Sequence, residues 1–182
     1  MRIIAGQWRG RTITAPKGDA TRPTADRTRE ALVSMLVSRL GDFEGLCVAD
    51  LFAGSGALGL EALSRGAAHC LFVEQDKAAL DALRANITHL GAGAQSDVRQ
   101  QSVLNLPHAA QPYDLIMMDP PYESGAGAVA LDKLNRIGWI APHCWVSIET
   151  SKKEVIDIAG FEADAVRDHG KARLHLLRKI GE

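Results

Sequence analysis

Aromatic residues make up only 5% of this sequence, cysteines number three, and no apolar run approaches the roughly 20 residues needed to cross a bilayer. The lack of such a run excludes a helical membrane span. The opening Met1-Arg2-Ile3-Ile4-Ala5-Gly6-Gln7-Trp8 also lacks the long apolar core of a secretion signal, so a soluble cytoplasmic protein is expected. Cys47, Cys70 and Cys144 are odd in number, lie in apolar segments and show no close metal-ligand spacing, so neither a disulfide nor a bound metal is expected. Repeats and low-complexity stretches are absent, and nothing after residue 20 reads as a linker. The 182 residues suit one core, and nothing in them demands more than a monomer.

Net charge is also small, −1 overall, but it is unevenly placed. Residues 1–30 hold seven basic side chains (Arg2, Arg9, Arg11, Lys17, Arg22, Arg27, Arg29) against three acidic ones, a net of +4 that leaves −5 for the rest. A basic arm on a mildly acidic body suits a protein that meets phosphate with one end, although such arms are often no more than solvated surface. Within the arm, residues 2–15 place short apolar stretches on either side of Gly6 and Gly10 and read as a β-hairpin. Trp8 sits among Arg2, Arg9 and Arg11, which fits an aromatic that stacks on RNA between phosphate-binding cations. It fits equally a tryptophan that pins the hairpin to the domain. The expected organisation is a basic hairpin extension over 1–20, with RNA as its expected partner, on a main domain over 21–182.

Thr24 is a candidate N-cap for a helix over about 25–40, with Leu32, Met35 and Leu36 at helical spacing and Gly41 ending it. Its first turn is expected to expose Arg22, Asp26, Arg27 and Arg29 to a cofactor, to RNA or simply to solvent. Beyond it, strand and helix alternate. Short apolar strands are expected at 46–52, 69–74, 97–103, 113–118 and 145–148, and helices at 57–65, 78–90 and 126–137. Val155, Ile156 and Ile158 with 172–180 suggest a closing antiparallel pair. Strands apolar throughout and separated by helices imply an α/β fold with a mostly parallel sheet covered on both faces.

Two loops carry chemistry. Asp50-Leu51-Phe52-Ala53-Gly54-Ser55-Gly56-Ala57-Leu58-Gly59 leads from the first sheet strand into a helix, with Gly54, Gly56 and Gly59 in the G-x-G-x-x-G pattern and Glu74 at the end of the next strand. Alone, that pattern suggests a nicotinamide dinucleotide. Asp50 argues otherwise, since a carboxylate before the glycine loop repels a pyrophosphate but suits a cationic ligand such as S-adenosylmethionine, whose ribose hydroxyls still want Glu74. The second loop, Asp119-Pro120-Pro121-Tyr122, follows the apolar run 113–118. Each proline fixes φ and removes an N–H, so the turn is stiff before any ligand arrives. The bland alternative is a turn in which Asp119 caps the following helix and Tyr122 packs on the surface.

With both loops on one sheet, the chain resembles the class I S-adenosylmethionine-dependent methyltransferases, and more narrowly the bacterial 16S ribosomal RNA guanine-N2 methyltransferases of the small subunit. The narrower likeness is carried by Arg2-Ile3-Ile4-Ala5-Gly6-Gln7-Trp8-Arg9-Gly10-Arg11 and by Arg22-Pro23-Thr24 with Asp26-Arg27 and Arg29-Glu30. The resemblance implies a Rossmann-like sheet of seven strands in the order 3-2-1-4-5-7-6, with the last strand antiparallel. It implies that Asp50, Gly54 and Gly56 meet the amino-acid end of the cofactor and Glu74 the ribose, with Phe52, Ser55 and Gln75 beside them. At the end of the third strand, where many relatives carry an acid or amide for the adenine, stand Gln101-Ser102; Ser102 with the Val103 backbone is the expected contact.

The same resemblance makes Asp119 to Tyr122 the catalytic motif and the partner ribosomal RNA, met within a small-subunit assembly intermediate. Guanine's exocyclic amine is a weak nucleophile because its lone pair is delocalised. The Asp119 carboxylate and Pro120 carbonyl are expected to bind its hydrogens, with Pro121 holding the turn, Tyr122 stacking on the extruded base and Asp119 also bordering the cofactor. Arg2, Trp8, Arg9, Arg11, Arg22 and Arg27 are the expected RNA contacts. Other readings are a DNA adenine-N6 methyltransferase, which shares the motif but usually carries a target-recognition domain, and a non-catalytic RNA-binding assembly factor. A protein glutamine methyltransferase usually begins this motif with Asn, and a dehydrogenase lacks an evident hydride-transfer pair here.

Overall fold

A computed structural model describes residues 1–16 and 23–181, with side chains of the second stretch from residue 25. Its elements are α1 (Pro23–Leu40), β1 (Cys47–Leu51), α2 (Ala57–Ser64), β2 (His69–Glu74), α3 (Lys77–Leu90), β3 (Ser96–Gln100), β4 (Tyr113–Met118), α4 (Ala126–Arg136), β5 (Ile140–Ser151), β6 (Phe161–His169) and β7 (Ala172–Lys179). All seven strands join one sheet in the order β3-β2-β1-β4-β5-β7-β6, with β7 antiparallel to both of its neighbours. The expected topology is the observed one. Among the described residues no helix is long and apolar enough to cross a membrane.

The strands' period of two separates two cores. Val48, Cys70, Phe72, Leu115 and Met117 point to one face, where they meet Leu32 and Leu36 of α1, Leu60 and Leu63 of α2, and Leu80 and Leu83 of α3. Their neighbours Leu51, Leu71, Val73, Ile116, Met118, Val146 and Ile148 point to the other, against Leu131 and Leu134 of α4 and Trp139. Both faces are covered, so the strands read as unbroken apolar runs.

The N-terminal hairpin forms, with an antiparallel bridge between Arg2 and Thr12 and hydrogen bonds from Ile3 N–H to the Arg11 carbonyl and Gly10 N–H to the Ile3 carbonyl. It is no detached arm. Ile3, Trp8 and Ile13 are buried in the core that also holds α1 to α3, Gln7 N–H donates to the Ser64 carbonyl, and Trp8 N–H donates to Ser64 Oγ. Glu61, buried in α2, accepts from the N–H groups of Ile4 and Ala5. A Cβ on Gly6 would fall 1.9 Å from the Ser64 carbonyl oxygen, so only glycine allows this approach.

Several boundaries differ from expectation. Pro23, whose missing N–H costs nothing in a first turn, starts α1, so Thr24 lies inside the helix instead of capping it. β5 begins five residues early, at Ile140, and crosses Pro142 and His143, which has φ +63°, near a register shift in its pairing with β4. Residues 155–158 are not a strand. The antiparallel partner of β7 is β6, an edge strand whose charged residues point outward while Phe161 and Ala165 face in. Such an edge shows little apolar signal.

Candidate active site

The carboxyl ends of β1, β2, β4 and β5 converge on one rim. Phe52, just past β1, is a non-glycine residue at φ +60°, and Gly54 (φ +57°) and Gly56 (φ +84°) continue the left-handed turn into α2. Backbone held in this region is uncommon outside glycine and collects at ligand sites. Gly59 serves packing: a Cβ there would lie 2.3 Å from Phe72 Cε1 and 2.6 Å from Cys70 Sγ, so the glycine lets α2 seat on β2. Glu74 closes the loop from β2, accepting from Gly54 N–H at 3.0 Å and from Asp76 N–H at 3.1 Å.

Two clefts meet at this rim. The larger, about 340 Å³, is lined by Asp50, Gly54, Ser55, Asp119 and Glu149 from the sheet end and by Asp26, Thr28 and Arg29 from α1, with Met1, Ala15 and Pro16 of the hairpin. The smaller, about 260 Å³, is lined by Glu74, Gln75, Gln101, Val103, Pro120 and Pro121. Phe52 and Asp119 line both and form the divide.

The acids here are held away from their ordinary behaviour. Asp50 is 2% exposed, and burial raises its carboxyl to about 8, opposed by the Gly59 N–H it accepts and assisted by the negative charges of Asp119 and Glu74. Asp119 keeps surface open to the cleft, yet protein crowds it closely enough that burial, with Glu149 beside it, lifts its carboxyl to about 7. The solvent still reaching it means that full desolvation awaits an occupied cleft. Glu149 is raised by burial as well, offset by the hydrogen bond from Tyr122 and by nearby His169. Tyr122 Oη donates to Glu149 Oε1 at 2.8 Å, and burial and that acid push its phenol upward. Paired acids shifted this way in a cleft mark a functional site.

Most expected residues assemble here. Asp50, Phe52, Gly54, Ser55, Glu74, Gln75, Val103, Asp119, Pro120 and Pro121 line the clefts, and Tyr122, 48% exposed, stands beside them. Asp119 caps no helix; α4 starts after Gly125 instead. Ser102 does not line either cleft, because its Oγ accepts from Leu104 N–H at 3.3 Å and caps a short turn. Gln101, one residue earlier, lines the cleft in its place. Trp8 is 8% exposed, so the indole is core and has no face left for a base. Arg29 is also buried, against expectation, and its Nη2 donates to the Arg2 carbonyl at 2.6 Å. Arg2, Arg9, Arg11 and Arg27 are exposed, and Arg22 lies outside the described residues. Asp26 and Arg29 of α1, expected to face a cofactor, RNA or solvent, line the larger cleft, whereas sequence reasoning missed Glu149, which lies in β5 with no motif around it.

A sheet of this order, with a glycine loop after β1 and Asp-Pro-Pro-Tyr after β4, defines a Rossmann-like class I methyltransferase. The chain belongs to the family described as Conserved hypothetical protein 95, which it matches over residues 1–178. It is similar to ribosomal RNA small subunit methyltransferase D of Escherichia coli (strain K12), 39% identical over 150 residues that span 82% of this chain and 74% of that protein. The protein of the same name from Haemophilus influenzae is 36% identical over 156 residues, 84% of this chain and 79% of that one. The solved structure of yhhF from Escherichia coli matches with a TM-score of 0.87 at 29% identity, covering 100% of this chain and 99% of that chain.

Proposed function

We propose that this protein transfers a methyl group from S-adenosylmethionine to the exocyclic N2 amine of a guanine in small-subunit ribosomal RNA. The observation that carries the reading is Asp119, the one acidic residue among the described residues that lines both clefts, which lets it face a methyl donor on one side and a target base on the other. Relatives named as ribosomal RNA small subunit methyltransferases support the RNA class.

The chain's own residues fit the donor. Asp50, buried beside the glycine loop with no cationic partner among the described residues, suits an ammonium, and Glu74 suits ribose hydroxyls. Gln75, Gln101 and Val103 line the smaller cleft where an adenine fits. Arg29 lines the larger cleft, and its buried Nε has no hydrogen-bond partner among the described residues, which suits the α-carboxylate of an amino acid. When bound, S-adenosylmethionine supplies an electrophilic methyl group on a sulfonium.

The rest is positioning. Asp119 and the Pro120 carbonyl accept the two amine hydrogens, which localises the nitrogen lone pair toward the methyl group, and Asp119 takes the surplus proton. Pro121 holds the turn and the exposed Tyr122 ring stacks on the extruded base. Residues 1–20 serve as the RNA-facing part even though their core is shared with the domain, with Arg2, Arg9, Arg11 and Arg27 on phosphates. The substrate is an assembly intermediate of the small subunit and the enzyme acts as a monomer.

The test incubates the protein with radiolabelled S-adenosylmethionine and separate ribosomal RNA, DNA and protein fractions, then digests the labelled material to nucleosides. Label recovered as N2-methylguanosine supports the reading. Label in DNA or protein, or binding to RNA without transfer, overturns it.

A further inference from the structure

Asp119 and Glu149 stand at corresponding places at the carboxyl ends of the neighbouring parallel strands β4 and β5. Met118 of β4 pairs with Ile148 of β5, the last pair of that ladder, and the next residue on each side is an acid: Asp119 directly past β4 and Glu149 within β5. Parallel strands lie roughly 4.8 Å apart, and side chains at a shared register point to the same face. Met118 and Ile148 face the core that holds α4, so both acids face the α1 side, and both line the larger cleft. Glu149 is half-buried, and its Oε1 is fixed by the Tyr122 hydroxyl at 2.8 Å. No described residue hydrogen-bonds its Oε2. On its flank, His169 is tied through Nδ1 to Thr28 Oγ1 at 3.2 Å.

We propose that Glu149 is a specificity-determining residue that accepts the N1–H of the target guanine through Oε2 while Asp119 holds the N2 amine. This rests on the proposed guanine-N2 activity. The chemistry is one of edges. Guanine presents two adjacent donors, N1–H and the N2 amine, whereas adenine and cytosine each present an amine beside a ring-nitrogen acceptor. Two acceptors side by side complement the first arrangement and set an unpaired acceptor against a lone pair in the second. An extruded base is read along this Watson–Crick edge. The Tyr122 bond serves the same end, because one side chain thereby both stacks on the base and orients the carboxylate that reads it. It also favours the ionised form of Glu149, the form that accepts.

The test maps the methylated position, then compares RNA carrying guanine there with RNA carrying 2,6-diaminopurine, which keeps the 2-amine but turns N1 into an acceptor. The wild-type protein is expected to prefer guanine by about tenfold or more in kcat/KM, the scale of one unpaired buried polar group. Glu149→Gln keeps an oxygen for Tyr122 and offers an N–H to the base, so the preference is expected to shift toward diaminopurine by about tenfold or more. A ratio measured on one enzyme cancels changes in folding or donor affinity. Should Glu149→Gln fail to fold, Glu149→Ala serves, with a ratio near one expected. Equal use of both bases by the wild-type protein, or a ratio unmoved by either substitution, overturns the proposal while N2-methylguanosine still forms. If the wild-type protein forms no N2-methylguanosine at all, the activity on which the proposal rests falls with it, and the two failures are distinct.

Discussion

The Gly59 N–H donates to the Asp50 carboxylate at 2.9 Å, so the acid that heads the glycine loop is held by the first turn of the helix that follows the loop. That one bond does not offset burial. The carboxyl titrates near 8 in the folded protein against an ordinary 3.8, so the folded chain keeps a proton that the unfolded chain releases, and stability falls as pH rises from about 4 toward 8. Asn at this position accepts the same N–H and carries no such proton. Asp50→Asn is therefore expected to melt higher than the wild-type protein, by a margin that grows between pH 5 and pH 8, while losing about tenfold or more in affinity for S-adenosylmethionine. Thermal melts across that range and calorimetric titration check both halves. A variant less stable than wild type at pH 8 contradicts the assignment.

Gly59→Ala tests the seating of α2 on the sheet. The added methyl would meet Phe72 Cε1 at 2.3 Å and Cys70 Sγ at 2.6 Å, both buried. Overpacking of this kind costs about 1–3 kcal/mol, and chemical denaturation should read it as a lower midpoint with an unchanged slope.

Trp8 and Arg9 are adjacent, but they do different work. Trp8→Ala empties a core site beside α2 and is expected to cost about 3–5 kcal/mol of stability. Arg9 is exposed, and although its backbone N–H donates to the Gly6 carbonyl at 3.2 Å, its side chain makes no hydrogen bond or ion pair with the described residues. Arg9→Glu should leave the melting temperature within about a degree and weaken RNA binding, with a shallower dependence of affinity on salt. Binding isotherms at several salt concentrations, set beside melts, separate the two.

The parallel strands were readable because buried parallel strands are apolar throughout, and β4 was placed to the residue by the run that ends at Met118, whereas the order of the strands came only with the resemblance to the methyltransferases. The glycine loop and the proline motif were readable because their backbone demands restrict residue choice. β6 was not, since its outward residues Glu162, Asp164, Arg167 and Asp168 look like loop. Trp8 was ambiguous for a different reason: an aromatic among arginines has the same composition whether its ring faces RNA or the core, and only the tertiary contact with Ser64 decides. Ser102 and Gln101 differ by one position, which at a strand end decides which side chain turns into the cleft. Glu149 became visible only once register brought it beside Asp119.

The paired acids predict a pH dependence. Asp119 must be ionised to accept the amine hydrogens, and its carboxyl sits near 7, raised by burial and then by Glu149. Single-turnover methylation should rise with pH through about 7 and level above it, with the midpoint belonging to the pair. Glu149→Gln removes the repelling charge, so the residual rate on guanine should show its midpoint at lower pH. A midpoint that stays in place means Glu149 does not act on Asp119.

The most direct measurement is the methylated nucleoside formed on small-subunit ribosomal RNA by the wild-type protein and by Asp119→Ala, at saturating S-adenosylmethionine and with donor binding confirmed separately. The account predicts N2-methylguanosine from the wild-type protein and a loss of at least about a hundredfold in the variant, the scale of one lost transition-state contact with a charged group. Near wild-type turnover by Asp119→Ala with donor binding intact, or a methylated base other than N2-methylguanosine, would contradict it.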